Sequence, residues 1–276
     1  MKLCTVRLDD NSTRAARLES DELMLLDAPD VGALLARPDW RQEALADGQS
    51  RPLELSDLAP VVLRPPKVVC VGLNYAAHIA EMGHGEPPAH PTLFAKFAIS
   101  LIGARDDIIL PSVSRSTDWE VELGVVIGSR ARHVAPEAAL RHVAGYTVVN
   151  DISVRDYQRR TSQYLQGKTH EATTPVGPWL VTDDELPPGA AGLEVRCEVD
   201  GEIMQRSTTD DMLFDVAALV SYLSDIASLE PGDLIATGTP SGVGASRDPQ
   251  AFLRPGQVVR TVVEEVGELI NRCVTE

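Results

Sequence analysis

The 276 residues carry 41 acidic and 25 basic side chains, for a formal net charge of −16, and only 4% are aromatic. That balance excludes a nucleic-acid-binding module, which needs clustered cations for phosphates and aromatic rings for stacking bases. No apolar run approaches the ~20 residues of a membrane span, whereas 43% hydrophobic residues suffice for a large buried core.

Cys4, Cys70, Cys197 and Cys273 lie far apart, with no CxxC pair and no zinc-ligand spacing, so they are expected as small buried apolar groups. The chain reaches Arg7, Asp9 and Asp10 before any hydrophobic region develops, so no secretory signal is expected. Together these features predict a cytoplasmic setting.

Residues 1–62 read as a small N-terminal domain. Cys4, Val6 and Leu8 alternate with Thr5 and Arg7, and Asp9-Asp10-Asn11-Ser12 turns the chain. Two short strand-like runs follow, then a weak helix from Val31 to Ala46 broken at Pro38. No reactive groups converge in this block, and Pro60, Pro65 and Pro66 mark its end. Residues 65–276 are expected to carry the chemistry.

That second block opens with a buried strand over 67–71. A short helix follows from Tyr75 to Met82, with Asn74 as its expected N-cap and Gly83 beyond its end. His78 and Glu81, three apart, share one helix face. A carboxylate beside an imidazole fixes its tautomer, as a general base requires, although an exposed helical pair has the same spacing. The loop 83–91, rich in glycine and proline, has the make-up of a mobile lid. Thr92 to Phe97 resumes as a strand interrupted by Lys96.

From Trp119 to Val125 large apolar residues hold the odd positions, and Glu120 and Glu122 stand between them. On a strand both carboxylates point the same way. Like charges so close either face solvent at a sheet edge or share a hard cation such as magnesium, manganese or calcium. The segment 136–144 reads as a helix, and 145–151 as a strand ending on Asp151. Asp151 either caps the next helix or adds a third oxygen to Glu120 and Glu122. That next helix, from Val154 to about Tyr164, places Arg155 and Gln158 at i,i+3 spacing near the same end.

Gln166-Gly167-Lys168-Thr169 reads as a turn. Alternation from Leu193 to Val199 before Asp200-Gly201 is the strongest hairpin signal in the chain. Val216, Leu219, Val220, Leu223 and Ile226 stripe the longest amphipathic helix. The turn Gly238-Thr239-Pro240-Ser241-Gly242-Val243-Gly244 lacks both nucleotide-loop spacings. Its backbone N–H groups and Thr239 suit a carboxylate instead.

Taken together, seven segments resemble the fumarylacetoacetate hydrolase family over roughly residues 65–274. They are Gly72-Leu73-Asn74-Tyr75-Ala76-Ala77-His78 with Glu81; Asp118-Trp119-Glu120-Val121-Glu122-Leu123; and Gly145-Tyr146 through Asn150-Asp151. Arg155-Asp156-Tyr157-Gln158, Gly167-Lys168, Pro175-Val176-Gly177-Pro178-Trp179 and the turn 238–244 complete the series in the family's order. The resemblance implies an α+β, mostly β fold: a β-roll catalytic domain behind a small N-terminal α/β domain, usually in a homodimer. It implies a Mg²⁺ or Mn²⁺ site at Glu120, Glu122 and Asp151, with Ca²⁺ as a substitute.

It further implies His78, Glu81 and Lys168 as the catalytic group, with Arg155, Gln158, Thr239 and Gly238 around a small 2-oxo acid. The expected reaction is hydrolysis of a C–C bond in a 2,4-dioxo acid such as fumarylpyruvate, through a metal-stabilised enolate. Decarboxylation or isomerisation of 2-oxo dicarboxylates of the oxaloacetate or 2-hydroxyhepta-2,4-dienedioate type is the alternative, and a catalytically silent ligand-binding relative a further one. One departure is His170-Glu171 after Thr169, where relatives commonly carry an aromatic residue.

Overall fold

Short β-branched runs far apart in the chain pair, among the described residues, into two large sheets and a two-stranded ribbon of Thr117–Asp118 with Ser153–Val154. The computed structural model describes residues 1–83 and 86–276, so His84 and Gly85 of the expected lid loop lie outside the described residues. Among the described residues, eleven strands form one mixed sheet. Its order is Ser50–Pro52, Glu22–Leu25, Thr13–Glu19, Lys2–Arg7, Thr174–Thr182, Val143–Asn150, Val121–Ile127, Leu234–Ala236, Val68–Gly72 and Thr92–Lys96. Leu101–Ile102 lies beside Thr174–Thr182. The N-terminal strands join this sheet directly, Lys2 opposite Val181 and Leu3 opposite Leu180.

A five-stranded sheet runs Glu202–Thr208, Glu194–Val199, Val258–Val263, Gly267–Thr275 and Ile108–Leu110. Its Val195, Cys197, Val259 and Leu269 share one core with Val121, Leu123 and Val125 of the large sheet. On the opposite face, Val126 and Val149 join Val31, Leu34, Leu35 and Trp40 in a second core. Val121–Ile127 is therefore buried at every position, which is why its run of Val and Ile continues through both faces. The fold is mostly β, as expected. All four cysteines are buried and unpaired.

The Asp200-Gly201 hairpin forms, with both turn residues at positive φ, 52° and 83°, as a tight hairpin of this kind demands. The helix Val216–Ile226 is capped by the Asp215 side chain, which accepts from the Ala218 N–H. Its stripe is buried from Val216 to Leu223, but Ile226 is 58% exposed and contributes nothing to the core.

Four local readings are corrected. The helix expected over 136–144 is Pro136–Ala139 with a tight turn Leu140–His142, because Val143 and Ala144 are drawn into the strand Val143–Asn150. The helix expected to run to about Tyr164 is one turn, Arg155–Gln158. Beyond it Arg159 to Gln163 are exposed and polar, with no apolar face whose burial would stabilise more turns. A second turn, Leu165–Lys168, replaces the expected glycine–lysine turn. Finally, Asn74 does not cap the helix Ala76–Glu81. Its amide donates to the Phe214 and Thr237 carbonyls and accepts from the Phe214 N–H, bracing three segments that meet beneath that helix.

Candidate metal and catalytic centre

Glu122 lies on the strand Val121–Ile127, Glu120 just before it, and Asp151 just after the neighbouring strand Val143–Asn150. Antiparallel pairing sets Val121 opposite Asn150, and the Asp151 N–H donates to the Glu120 carbonyl at 2.8 Å. Register thus carries two sequence-distant acids to one point. One oxygen from each of Glu120, Glu122 and Asp151 lies within 4.8 Å of the others. All three are 5% exposed or less, so the solvent-edge alternative falls.

Burial of like charges is unfavourable unless cations compensate it. Lys168 donates to Glu120 Oε2 at 2.6 Å and to Asp151 Oδ2 at 2.7 Å. Arg155 reaches Glu120 Oε1 at 2.7 Å through Nη1 and Asp118 Oδ2 at 2.8 Å through Nε. Burial alone would raise Glu120, but Lys168 and Arg155 bring it down to about 2. Glu122 pairs with no cation among the described residues; its Oε2 accepts only the Gly238 N–H, at 2.9 Å. Burial, then Asp151 and Glu120, push its carboxyl well above the usual range.

A hard divalent ion fits this donor set. Three buried oxygens converge, and one of them belongs to a carboxylate left without a positive partner. Glu120, Glu122 and Asp151 would hold such an ion, and oxygen-only ligation suits Mg²⁺ or Mn²⁺, with Ca²⁺ as a substitute. Because Glu122 must lose its proton to ligate, ion binding should tighten as pH rises. The sign for stability follows from the raised Glu122. The ion-free fold keeps a proton that the unfolded chain releases above its ordinary ~4.3, so ion-free stability declines above that pH. The gap in Tm between ion-loaded and ion-free protein should therefore widen from about pH 5.5 to about pH 8. A constant gap in a thermal-shift series would contradict this.

His78 and Glu81 sit on the helix Ala76–Glu81, His78 6% exposed. His78 Nδ1 is 3.1 Å from Glu81 Oε2, and Glu81 Oε1 accepts the Gly242 N–H at 2.9 Å. The Gly242 carbonyl accepts from Trp119 Nε1 at 3.2 Å, so the pair is tied to the segment bearing Glu120. Burial alone would raise the Glu81 carboxyl, but hydrogen bonds from His78, Ser246 and Gly242 hold it below its ordinary value. His78, Glu120, Glu122, Arg155, Gln158, Lys168 and Thr239 line one cavity of about 50 Å³. Larger hollows of about 410 and 400 Å³ lie elsewhere on the surface and are lined mainly by other segments. Convergent buried charge, not volume, locates the site.

Of the residues expected around the substrate, Arg155 offers Nη2, buried and without a partner among the described residues. Gln158 accepts from Arg155 Nη1 at 3.0 Å. Thr239 faces the cavity, but its hydroxyl donates to the Val121 carbonyl and accepts from Gln205. Gly238 turns its N–H to Glu122, which leaves none for a substrate there. His170 lies in a separate hollow with Glu171 and Glu276, its ring edge against Tyr157.

Residues that sequence reasoning did not single out complete the site. Asp118 is fully buried and takes the N–H groups of Gly244 and Ala245 as well as Arg155. Phe94 and Tyr164 pack edge to face at the cavity wall, and the Lys168 ammonium lies 4.8 Å from the Phe94 ring centroid. Lys96 is buried and bonded to Asp151. Gly167 lets the two one-turn helices touch, since a Cβ there would lie 2.4 Å from the Gln158 backbone nitrogen. Gly167→Ala should cost about 1–3 kcal/mol by overpacking, and urea unfolding would show it as a lowered midpoint; an unchanged midpoint would mean the helices can part freely.

A family model described as the C-terminal region of fumarylacetoacetate (FAA) hydrolase matches residues 67–274. The protein of Bos taurus called oxaloacetate tautomerase FAHD2A, mitochondrial, is 47% identical over 223 residues, 80% of this chain and 70% of that protein. Two solved structures are similar over 100% of both chains. One is 5-carboxymethyl-2-hydroxymuconate delta-isomerase from Mycobacterium smegmatis, with a TM-score of 0.83 and 34% identity. The other is fumarylacetoacetate hydrolase from psychrophilic Exiguobacterium antarcticum, with a TM-score of 0.86 and 31% identity. The bovine protein's name places it in the mitochondrion, where the sequence alone had suggested the cytoplasm for this chain.

Proposed function

Since the chain belongs to the fumarylacetoacetate hydrolase family, we propose that it interconverts the keto and enol forms of a small 2-oxo dicarboxylate of the oxaloacetate type. One observation supports this above others. A histidine buried against a glutamate shares its cavity with Glu120, Glu122 and the Lys168 side chain, and Asp151 converges on the same two carboxylates from behind.

Because Glu81 holds His78 Nδ1, Nε2 is the nitrogen free to take a proton. His78 takes that proton from C3 of the 2-oxo acid. The electrons of the C–H bond form the C2–C3 double bond, and the former oxo oxygen takes a proton from Lys168. The return of His78's proton to Lys168 resets the pair. Arg155 Nη2 binds a substrate carboxylate in a charge-assisted hydrogen bond. A divalent ion held by Glu120, Glu122 and Asp151 supplies, when bound, Lewis-acid polarisation worth several kcal/mol.

Hydrolysis of a 2,4-dioxo acid, the first expectation from the sequence, becomes the second reading. It requires in addition a water placed over a distal carbonyl. The tautomerase name of the bovine relative and the isomerase name of a structural neighbour favour proton transfer. The hydrolase name of the Exiguobacterium neighbour keeps the second reading in view.

Incubation with Mg²⁺ and, separately, oxaloacetate, a heptadienedioate and fumarylpyruvate, followed by NMR, separates the readings. Rapid keto–enol exchange of oxaloacetate with its carbon skeleton intact is expected. Release of pyruvate and fumarate from fumarylpyruvate, with oxaloacetate left at its uncatalysed rate, would reinstate hydrolysis.

A further inference from the structure

Five contacts join six buried charges into one alternating chain: Asp118, Arg155, Glu120, Lys168, Asp151 and Lys96, at 2.8, 2.7, 2.6, 2.7 and 2.7 Å in turn. The last of these has no part in the proton transfer above. Lys96 ends the strand Thr92–Lys96, is 3% exposed, and does not line the cavity. Its ammonium donates to Asp151 Oδ1 at 2.7 Å and to the Ile152 carbonyl at 3.0 Å. Two acceptors on adjacent residues fix its direction, so it cannot follow Asp151 if that side chain turns.

The same arrangement recurs at the other two acids. Glu120 Oε1 is held by Arg155 and Glu122 Oε2 by the Gly238 N–H. Each of the three carboxylates therefore has one oxygen held back by its own donor. Of the other three, Glu120 Oε2 and Asp151 Oδ2 share the Lys168 ammonium and Glu122 Oε1 has no donor among the described residues, so an ion there would meet one oxygen from each. Three single oxygens make half of an octahedron. Mg²⁺ demands near-octahedral geometry, and Mn²⁺ accepts it, whereas Ca²⁺ takes six to eight oxygens and commonly grips carboxylates by both. Of the three holding donors, one is a backbone group and one, Arg155, also lines the cavity; Lys96 is the one side chain of the three that touches a single carboxylate of the site and stays out of the cavity.

We propose that Lys96 is a positioning residue that keeps Asp151 a one-oxygen ligand and so makes the centre select Mg²⁺ and Mn²⁺ over Ca²⁺. The inference rests on the metal reading given above and extends it from which residues bind to which ion they prefer.

The test is isothermal titration of the full chain with each metal salt alone, without substrate, for the wild type, Lys96→Gln and Lys96→Arg. Loss of a partner behind a metal ligand commonly weakens binding 10–100-fold. Lys96→Gln is expected to weaken Mg²⁺ and Mn²⁺ by about that factor and Ca²⁺ less, narrowing the preference at least about tenfold. Lys96→Arg keeps the buried charge that Lys96→Gln removes. Its two-pronged guanidinium engages both Asp151 oxygens, so all three ions should weaken by about tenfold or more. Folded variants with wild-type affinities and an unchanged ratio would overturn the role of Lys96 alone. Should Lys96→Gln not fold, unchanged affinities in Lys96→Arg would do the same. A wild type that binds none of the three ions would overturn the metal reading and this inference with it.

Discussion

Replacing His78 by glutamine should lower keto–enol turnover by about 10²–10⁴-fold, the usual contribution of a positioned general base. Glutamine keeps volume and hydrogen bonding near Glu81 but offers no nitrogen that accepts and returns a proton. Because His78 is not one of the three converging acids, the rise in Tm on adding Mg²⁺ should persist. Loss of activity together with loss of the thermal shift would mean that the substitution had disturbed the carboxylates. Full activity in His78→Gln would remove His78 from the chemistry altogether. Glu81→Gln should give a smaller loss, since it leaves the imidazole in place and weakens only its orientation.

Asp151→Ala should have the largest effect on the fold and on ion binding together. Asp151 accepts both Lys96 and Lys168, each 3% exposed or less. Removing it strands two buried ammonium groups, and breaking a buried pair in this way commonly costs about 3–5 kcal/mol. The ion-free variant should unfold at markedly lower denaturant, and Mg²⁺ should no longer raise its Tm. Asp118→Ala makes a useful comparison. It leaves the three ligand oxygens in place but frees Arg155 and the N–H groups of Gly244 and Ala245, so stability should fall while some ion binding survives. If Asp151→Ala still showed a full ion-dependent shift, the centre would lie elsewhere.

Much of this site was legible because its chemistry follows local pattern. Alternation around Glu120 and Glu122 puts two acids on one side, and the strand ending at Asp151 supplies a third. Antiparallel register then brings one oxygen of each within 4.8 Å of the others. The His78–Glu81 pair follows from helical spacing alone, and the Asp200-Gly201 turn from its demand for positive φ.

What escaped depends on partners distant in the chain. Thr92 to Phe97 has apolar residues on both faces, so pattern alone leaves its orientation open. In the structure Lys96 is buried while Phe97 is 55% exposed, the reverse of what hydropathy favours, because the two acceptors for Lys96 lie on Asp151 and Ile152. Asn74 has the chemistry of a helix cap, yet bonds to Phe214 and Thr237, which no local window contains. The helix after Asp151 ends early because the arginine spacing that suits a helix brings no apolar face to bury. Pairing of the first strand with Thr174–Thr182 likewise leaves no trace in neighbouring residues.

A site of this kind would move a proton at the carbon beside a 2-oxo group. Hydrogen–deuterium exchange at C3 of oxaloacetate, followed by NMR in D₂O with the Mg²⁺-loaded protein, tests it directly. Saturable exchange well above the Mg²⁺-only control is expected, lowered by about 10²-fold or more in His78→Gln and lost on chelation of the ion. Exchange no faster than that control, in protein whose Mg²⁺-dependent rise in Tm proves it loaded, would contradict it.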